Sequence, residues 1–445
     1  LAQYKMQIDY EIEFHERLGE FAAAERKRNE SKEIAALLNT KYFSEELFWY
    51  VDLYPSGKGE WKQAKTITLA GFWPVRAKAA PRDRIETMLR ENLENTQRFG
   101  GGPFLPSLAK DDPHYEESGA YWRGAGWPPD WVMVASALYE NGFREKAARV
   151  SMQSAAVMTK VSRAHQYQIT PNTLLAQVGD IIKKKQTWTS DESYRTHLRN
   201  KIHSYFLGTH SLERSPAGLA RGTVFEFYGI YRDETGQAIP TFGLEIRADG
   251  NLHQTRQDFG GWGVCPLLAA PKNILGIDAI PAFHGKESEL GRWLHTLLLS
   301  PVYSHFQVDQ IPAFAEAAAF LKKNPQQDSA AFAAFLKQTQ TPDFIGQLKL
   351  LGQGYIEVSP VIAPGEGDDR IEIKNYIFDG SRFSLRLEKI DAQGKLKITV
   401  DSERPIPIQF KAKWFTAPSP ILVIGGKNKT IILGEGHNFT AHNHE

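Results

Sequence analysis

Apolar residues return at helical spacing from the start of the chain. Met6, Tyr10, Phe14, Leu18 and Phe21 recur every three or four positions with charged residues between them, which predicts an amphipathic first helix. A second helical pattern covers about 30–41. A third starts at Pro81, a good first-turn residue, and runs through Phe99 until Gly100-Gly101-Gly102 ends it. Helices are expected at about 128–141 and 143–160, with Asn141-Gly142 as the short turn of an αα-hairpin. Further helical patterns span roughly 172–185, 191–207, 262–275, 287–299 and 312–338. The last of these, rich in Ala and Phe from Ala313 to Leu336, is interrupted at Asn324-Pro325.

From about Tyr355 the period changes from helical to alternating. Arg370 to Ile373, Phe383 to Leu387, Leu396 to Val400, Ile408 to Ala412 and Ile431 to Leu433 place apolar residues between Gly, Asp and Pro turns. The last hundred residues are expected to form an antiparallel β-sandwich. Paired helices followed by a strand-only tail predict a mainly α chain, an α/α toroid carrying a β appendage. Because the Pro/Gly-rich stretch Pro360 to Gly367 lies inside the β part, the boundary is placed near 345, giving domains 1–345 and 346–445.

Composition narrows the partners. Lys plus Arg (53) nearly cancels Asp plus Glu (52), so no net field draws polyanions or acidic membranes, and nucleic acid is not expected as a partner. One cysteine, Cys265, cannot form an internal disulfide, no Cys/His group has zinc-ligand spacing, and no metal is expected. No apolar run reaches the roughly 18–20 residues that span a bilayer, and Leu1 does not open a basic-then-apolar leader, so a soluble chain without a membrane partner is expected. A lone cysteine suits cytoplasm and periplasm alike. Aromatic residues make up 11%, with ten Trp, many beside Gly, Pro or Arg; such rings fill large cores and also stack on the C–H faces of sugars.

The densest unusual segment is Tyr121-Trp122-Arg123-Gly124-Ala125-Gly126-Trp127-Pro128-Pro129-Asp130-Trp131, just ahead of a helix. Its glycines and prolines fix a non-helical path that would display the two indoles and the guanidinium at the helix entrance, as a stacking face with a hydroxyl clamp. A buried tryptophan corner with Arg123 paired to a carboxylate is the structural alternative. In Phe225-Glu226-Phe227-Tyr228 a carboxylate sits among aromatic residues, a costly setting unless it has a partner or a task in proton transfer; a solvent-facing glutamate on a half-buried strand is equally open. Asp258-Phe259-Gly260-Gly261-Trp262 follows downstream. Ser107 lacks a nucleophile-elbow context, and Asp111-Asp112-Pro113 suits a turn. His437, His442 and His444 suit a solvated tail.

Taken together these blocks resemble glycoside hydrolase family 63. Tyr121-Trp122-Arg123-Gly124 followed by Trp127-Pro128-Pro129 is similar to its motif and to the Gly-Trp-Pro-Pro of the related family 37 trehalases. Tyr42-Phe43 to Tyr50-Val51-Asp52, Gly71-Phe72-Trp73-Pro74, Leu105-Pro106-Ser107 with Asp111-Asp112-Pro113, Glu226-Phe227-Tyr228 and Phe259-Gly260-Gly261-Trp262 fall in the family's order. The likeness covers about residues 1–275, and the stretch 282–345 has no counterpart in it.

The resemblance implies an (α/α)6 barrel and hydrolysis of α-glucosides or α-mannosides with inversion, without a cofactor. It assigns Glu226 as the general base and Trp122, Arg123, Trp127 and Trp262 as sugar-binding residues expected to meet in one concave pocket, with Tyr121 and Phe259 as further substrate-binding candidates. It places the general acid, an aspartate in an Asp-x-Ser-Pro-Arg-like segment, ahead of the helix that begins here. Asp191-Glu192-Ser193-Tyr194-Arg195 matches that segment only loosely and out of order. The barrel is therefore expected to be incomplete at its N-terminus, with this chain a fragment, a processed piece, or a subunit whose partner polypeptide carries the missing helices. A carbohydrate-binding protein that has lost the acid, and another α/α-barrel glycosidase such as an α-rhamnosidase, are the alternatives.

Overall fold

The structure is a computed structural model that describes residues 1–57, 59–117, 119–167, 225–232, 235–246, 252–254, 262, 265–280, 282–283, 285–300, 306–324, 329–359, 370–378, 380–389, 396–410, 422–433 and 440–442. Along the chain, α1 is Ala2–Leu18, α2 Phe21–Leu37, α3 Arg82–Met88, α4 Pro128–Glu140 and α5 Arg144–Tyr167. After the hairpin β1 (Tyr228–Arg232) and β2 (Ala238–Phe242) come α6 (Cys265–Leu275), β3 (Ile277–Ile280), α7 (Leu290–Leu299), α8 (Ala315–Lys323), α9 (Ser329–Thr339) and α10 (Pro342–Gly352). The strands β4 (Tyr355–Val358), β5 (Arg370–Phe378), β6 (Ser381–Lys389), β7 (Leu396–Phe410), β8 (Leu422–Leu433) and β9 (Thr440–His442) complete the order. The chain is thus helix-rich with a C-terminal sheet. Two compact units divide it, one of residues 1–36, 138–148 and 270–445, the other of 37–137 and 149–269.

In the first unit, α1 and α2 are joined at Gly19, whose φ of 78° suits the left-handed C-cap that ends α1. Here the expected apolar face is corrected. Tyr10, Phe14 and Leu18 are 46%, 65% and 71% exposed, while the buried face carries Ile8 and Ile12 together with Lys5, Asp9, Glu13 and Glu16. Every buried charge on that face is matched: Lys5 bonds Asp9 at 2.8 Å, Ser31 donates to Asp9 at 2.7 Å, Arg17 pairs with Glu13, and Arg28 of α2 pairs with Glu16. Partnered charge removes most of the cost of burial, and periodicity alone does not say which face of a helix is inside.

Other boundaries moved as well. The helix expected to reach Phe99 changes at Leu89–Leu93 to a single wider turn, and the one expected at 30–41 starts already at Phe21. The αα-hairpin forms as expected, with Gly142 N–H bonded to Tyr139 O and Phe143 N–H to Leu138 O. α8 ends at Lys323 with Asn324 as its C-cap and α9 starts at Ser329, on either side of the expected break; Pro325 lies outside the described residues. Helical patterns at 172–185 and 191–207 lie outside the described residues.

The sequence predicts an antiparallel sandwich from about 350. All described residues from Tyr355 onward that adopt regular structure are strands, but they join one seven-stranded mixed sheet. β4 runs parallel to the C-terminal end of β7, with Ile356 opposite Ile408, and β3 joins from the helical part, with Glu357 opposite Asp278. β7 is long enough to pair with β6 through Leu396–Ser402 and with β4 through its last residues, while β8 lies along its other edge. One face of the β3–β4–β7 region buries Ile277, Ile356, Val358, Ile408 and Phe410. The opposite face carries Asp278, Glu357 and Gln409 side by side. There Arg144, at the start of α5, lies 4.9 Å over the Tyr139 ring, bonds Ser359, and pairs with Glu357 at 3.1 Å; Lys272 pairs with Asp278 at 2.8 Å. Alternation shows that strands exist. It does not carry their pairing, and four residues at Ile277–Ile280 are too short to stand out from the helix they follow.

Candidate functional site

The site is built from two chain segments in the second compact unit. Residues 115–117 and 119–127 form a tight loop ahead of α4. Glu116 N–H bonds Arg123 O at 2.6 Å, Ala125 N–H bonds Tyr121 O at 3.2 Å, and Ser107 N–H bonds Ala125 O at 2.8 Å. Tyr121 sits at φ 53°, a left-handed conformation that costs a non-glycine residue about 1–2 kcal/mol and persists only where its surroundings impose it. The buried Ser107 accepts from Gly124 N–H at 3.3 Å, a structural task in line with the missing nucleophile context.

The second segment is Phe225-Glu226-Phe227-Tyr228. Gly126 and Tyr228 exchange both backbone hydrogen bonds, at 2.8 and 2.9 Å, as an isolated antiparallel bridge. Ile230 N–H adds a bond to Glu117 O at 2.8 Å. Glycine is required at the bridge: a Cβ on Gly126 would stand 2.4 Å from Trp131 Cζ2 and 2.6 Å from Phe104 Cδ2. Gly119, at φ 78°, meets the same segment, and a Cβ there would lie 2.9 Å from the Gly229 Cα. Tyr228 is fully buried, and burial pushes its hydroxyl up to about 12.

This bridge gathers rings far apart in sequence. Trp127, 1% exposed, stacks on Trp122 with centroids 4.1 Å apart and planes 12° from parallel, and on Phe227 at 5.0 Å. Trp262 meets Trp127 edge-on at 5.7 Å, and Tyr121 does so at 5.0 Å. The Trp127 indole N–H donates to Tyr121 O at 3.3 Å. Such ring pairs add about 0.5–1.5 kcal/mol each beyond their buried area. Trp122 and Trp262 remain 49% and 40% exposed, so the cluster ends in two open indole surfaces over a buried base.

Glu226 is half-buried between the fully buried Phe225 and Phe227 and has no ion-pair partner among the described residues. Arg123 lies on the same loop, with its guanidinium 2.9 Å from Glu116, the carboxylate pairing that its sequence context left open. Of the residues singled out from sequence, the structure brings Tyr121, Trp122, Trp127 and Trp262 into ring contact, and it joins the Glu226 segment to them through the bridge. Phe259 lies outside the described residues, as do Asp258 and Asp191.

Sequence reasoning passed over Asp130, in the first turn of α4. Its half-buried carboxyl has no ion-pair or hydrogen-bond partner among the described residues, and burial pushes it up to about 6. The signal was present in Trp127-Pro128-Pro129-Asp130-Trp131, where an acid in a first turn looks like ordinary helix-dipole chemistry. No helix among the described residues is long and apolar enough to cross a membrane.

Known proteins share parts of this chain. Residues 13–171 match the model of the mannosylglycerate hydrolase MGH1-like glycoside hydrolase domain. Among solved structures the chain is similar to the family 63 mannosylglycerate hydrolase of Thermus thermophilus in complex with glucose, at 24% identity over 31% of this chain and 38% of that one, TM-score 0.24. An uncharacterized conserved protein of the same organism is similar at 26% identity, over 31% of this chain and 37% of that one, TM-score 0.24. The neutral trehalase Nth1 of Saccharomyces cerevisiae is similar at 16% identity over 33% and 26%, TM-score 0.28. The chain therefore spans well under half the length of these relatives. No curated protein matches. The family model agrees with the resemblance drawn from the motif order: residues 13–171 match a glycoside hydrolase domain.

Proposed function

We propose that the Trp122–Trp127–Trp262 cluster is the sugar site of an inverting glycoside hydrolase acting on α-linked glucosides or mannosides, with Glu226 as its general base. The observation that carries this reading is the Gly126–Tyr228 bridge, which joins the segment bearing Glu226 to the loop of the stacked, half-open tryptophan pair. The open indoles of Trp122 and Trp262 offer flat apolar faces to a pyranose ring, and Arg123 supplies donors to its hydroxyls while Glu116 holds the guanidinium. Glu226 takes the proton of a water as that water attacks the anomeric carbon. Inversion requires the two carboxyls to stand roughly 6.5–9.5 Å apart, with the water between base and sugar. The acid is the aspartate of the Asp-x-Ser-Pro-Arg-like segment, on the same or on a second polypeptide. The helices belong to an (α/α)6 barrel with an appended β domain. The names of the relatives direct attention to mannosylglycerate and trehalose as substrates.

Titrating the chain with trehalose, mannosylglycerate and simple α-glucosides and α-mannosides, followed by tryptophan fluorescence, tests the site. Saturable quenching that Trp122→Ala abolishes supports it. A chain that binds none of them, or binds equally well without Trp122, ends the proposal.

A further inference from the structure

We propose that Tyr228 is the positioning residue of Glu226: its hydroxyl holds the peptide N–H just ahead of the acid and so fixes where the carboxylate meets the attacking water. The inference rests on the sugar-site reading above and adds to it the group that holds the base.

Glu226 is the one half-buried residue in a run whose other members, Phe225, Phe227 and Tyr228, are fully buried. The chain bends at Glu226, and a side chain closes the bend. Phe225 N–H donates to the Tyr228 hydroxyl at 3.3 Å, a bond that spans the acid from three residues further on. On the other side, Gly243 N–H donates to Phe227 O at 3.0 Å. Both neighbours of Glu226 are therefore held by hydrogen bonds, one to backbone and one to a phenol.

The phenol is itself anchored. Tyr228 exchanges both backbone bonds with Gly126 and opens β1, where it pairs with Phe242 of β2. Its ring lies 5.5 Å from that of Trp131, whose indole N–H donates to Leu105 O at 2.8 Å, and it meets the Phe225 ring edge-on at 6.0 Å. A plain phenyl ring would fill this space, as two phenylalanines of the same run already do. Burying a hydroxyl is costly unless it is bonded, and the one polar ring of Phe225-Glu226-Phe227-Tyr228 is the one that reaches back over the acid. With burial pushing it up to about 12, this hydroxyl stays neutral at neutral pH and accepts from the peptide without setting a second negative charge near Glu226. Proton transfer depends on placement, since a shift of about 1 Å can cost about 10²-fold in rate.

The test uses the full chain with α-glucosyl and α-mannosyl fluoride, followed by a fluoride electrode. Fluoride needs no carboxylic acid to protonate it as it leaves, so the step calls on the base alone. The water oxygen bonds to the anomeric carbon, the C–F bond breaks with its electron pair on fluoride, and Glu226 takes the water's proton. Tyr228→Phe should release fluoride with a kcat roughly tenfold lower and an unchanged KM. It should bind methyl α-glucoside or methyl α-mannoside with the affinity and stoichiometry of the unsubstituted chain. Added to Glu226→Gln it should slow release no further, because its effect passes through that carboxylate. An unchanged kcat in Tyr228→Phe overturns the positioning role and leaves the sugar site standing. The same loss in both backgrounds, or a loss of binding sites in proportion to kcat, does likewise. No fluoride release by the unsubstituted chain, or full release by Glu226→Gln, overturns Glu226 as base, and this inference with it.

Discussion

The Asp130 carboxyl makes a prediction that needs no ligand. With its ordinary value at 3.8 and its folded value at about 6, ionising Asp130 costs about 3 kcal/mol more in the folded chain than in the unfolded one. Below about pH 3 the group is protonated in both folded and unfolded chains and costs nothing. Between about 4 and 6 the unfolded chain ionises more readily, so stability falls as the pH rises, and above 6 the whole cost is present. Asp130→Asn removes that cost, since the net folded value already includes the helix-end preference for the anion. The variant should therefore match the parent near pH 3 and exceed it by about 3 kcal/mol at pH 7.5. Urea unfolding followed by circular dichroism at the two pH values measures this, and taking the difference between variant and parent cancels every other titrating group. A difference that stays flat across that pH range, or a variant less stable than the parent at pH 7.5, would refute the desolvation argument.

Removing Arg144 takes a cation away from the 1%-exposed Glu357, so Arg144→Met should cost about 3–5 kcal/mol in urea unfolding, and Arg144→Met with Glu357→Gln should cost less than the sum of the two. Gly126→Ala drives a methyl into Trp131 and Phe104 and should cost about 1–3 kcal/mol, with near-ultraviolet circular dichroism reporting the disturbed indoles. Trp127→Ala empties a buried ring position at about 3–5 kcal/mol, whereas Trp122→Ala, at a half-exposed ring, should leave the melting temperature within a few degrees while weakening sugar binding. In a polypeptide that carries the upstream aspartate, Glu226→Gln should keep binding yet lower turnover by roughly 10²–10⁴-fold; near-normal turnover would remove Glu226 as base.

Local signals were legible wherever the chain dictates its own geometry. Asn141-Gly142 turns the hairpin and a helix ends at Asn324 because such residues favour turns and caps regardless of what packs around them. Which face of α1 is buried could not be read the same way. Ile8 and Ile12 share their face with four charged residues, and only the partners on α2 and one helical turn away make that face the inner one. Sheet pairing was hidden for a related reason: alternation in Tyr355–Val358 is identical whether its neighbour runs parallel or antiparallel.

The site shows both cases at once. Its rings announced themselves because Gly and Pro beside Trp leave no helical stripe for the indoles to fill. The contact that makes them a site was silent, since Gly126 and Tyr228 lie about a hundred residues apart and bond through backbone atoms that every residue possesses. That division has a consequence for how the site tolerates change. If the proposed sugar site holds, open side chains such as Trp122 set what is bound, and their substitution leaves the frame intact. The placement of Glu226 depends on backbone bonds and on glycines that admit them, so a single methyl at Gly126 or Gly119 should displace the carboxylate more than replacing any exposed ring does.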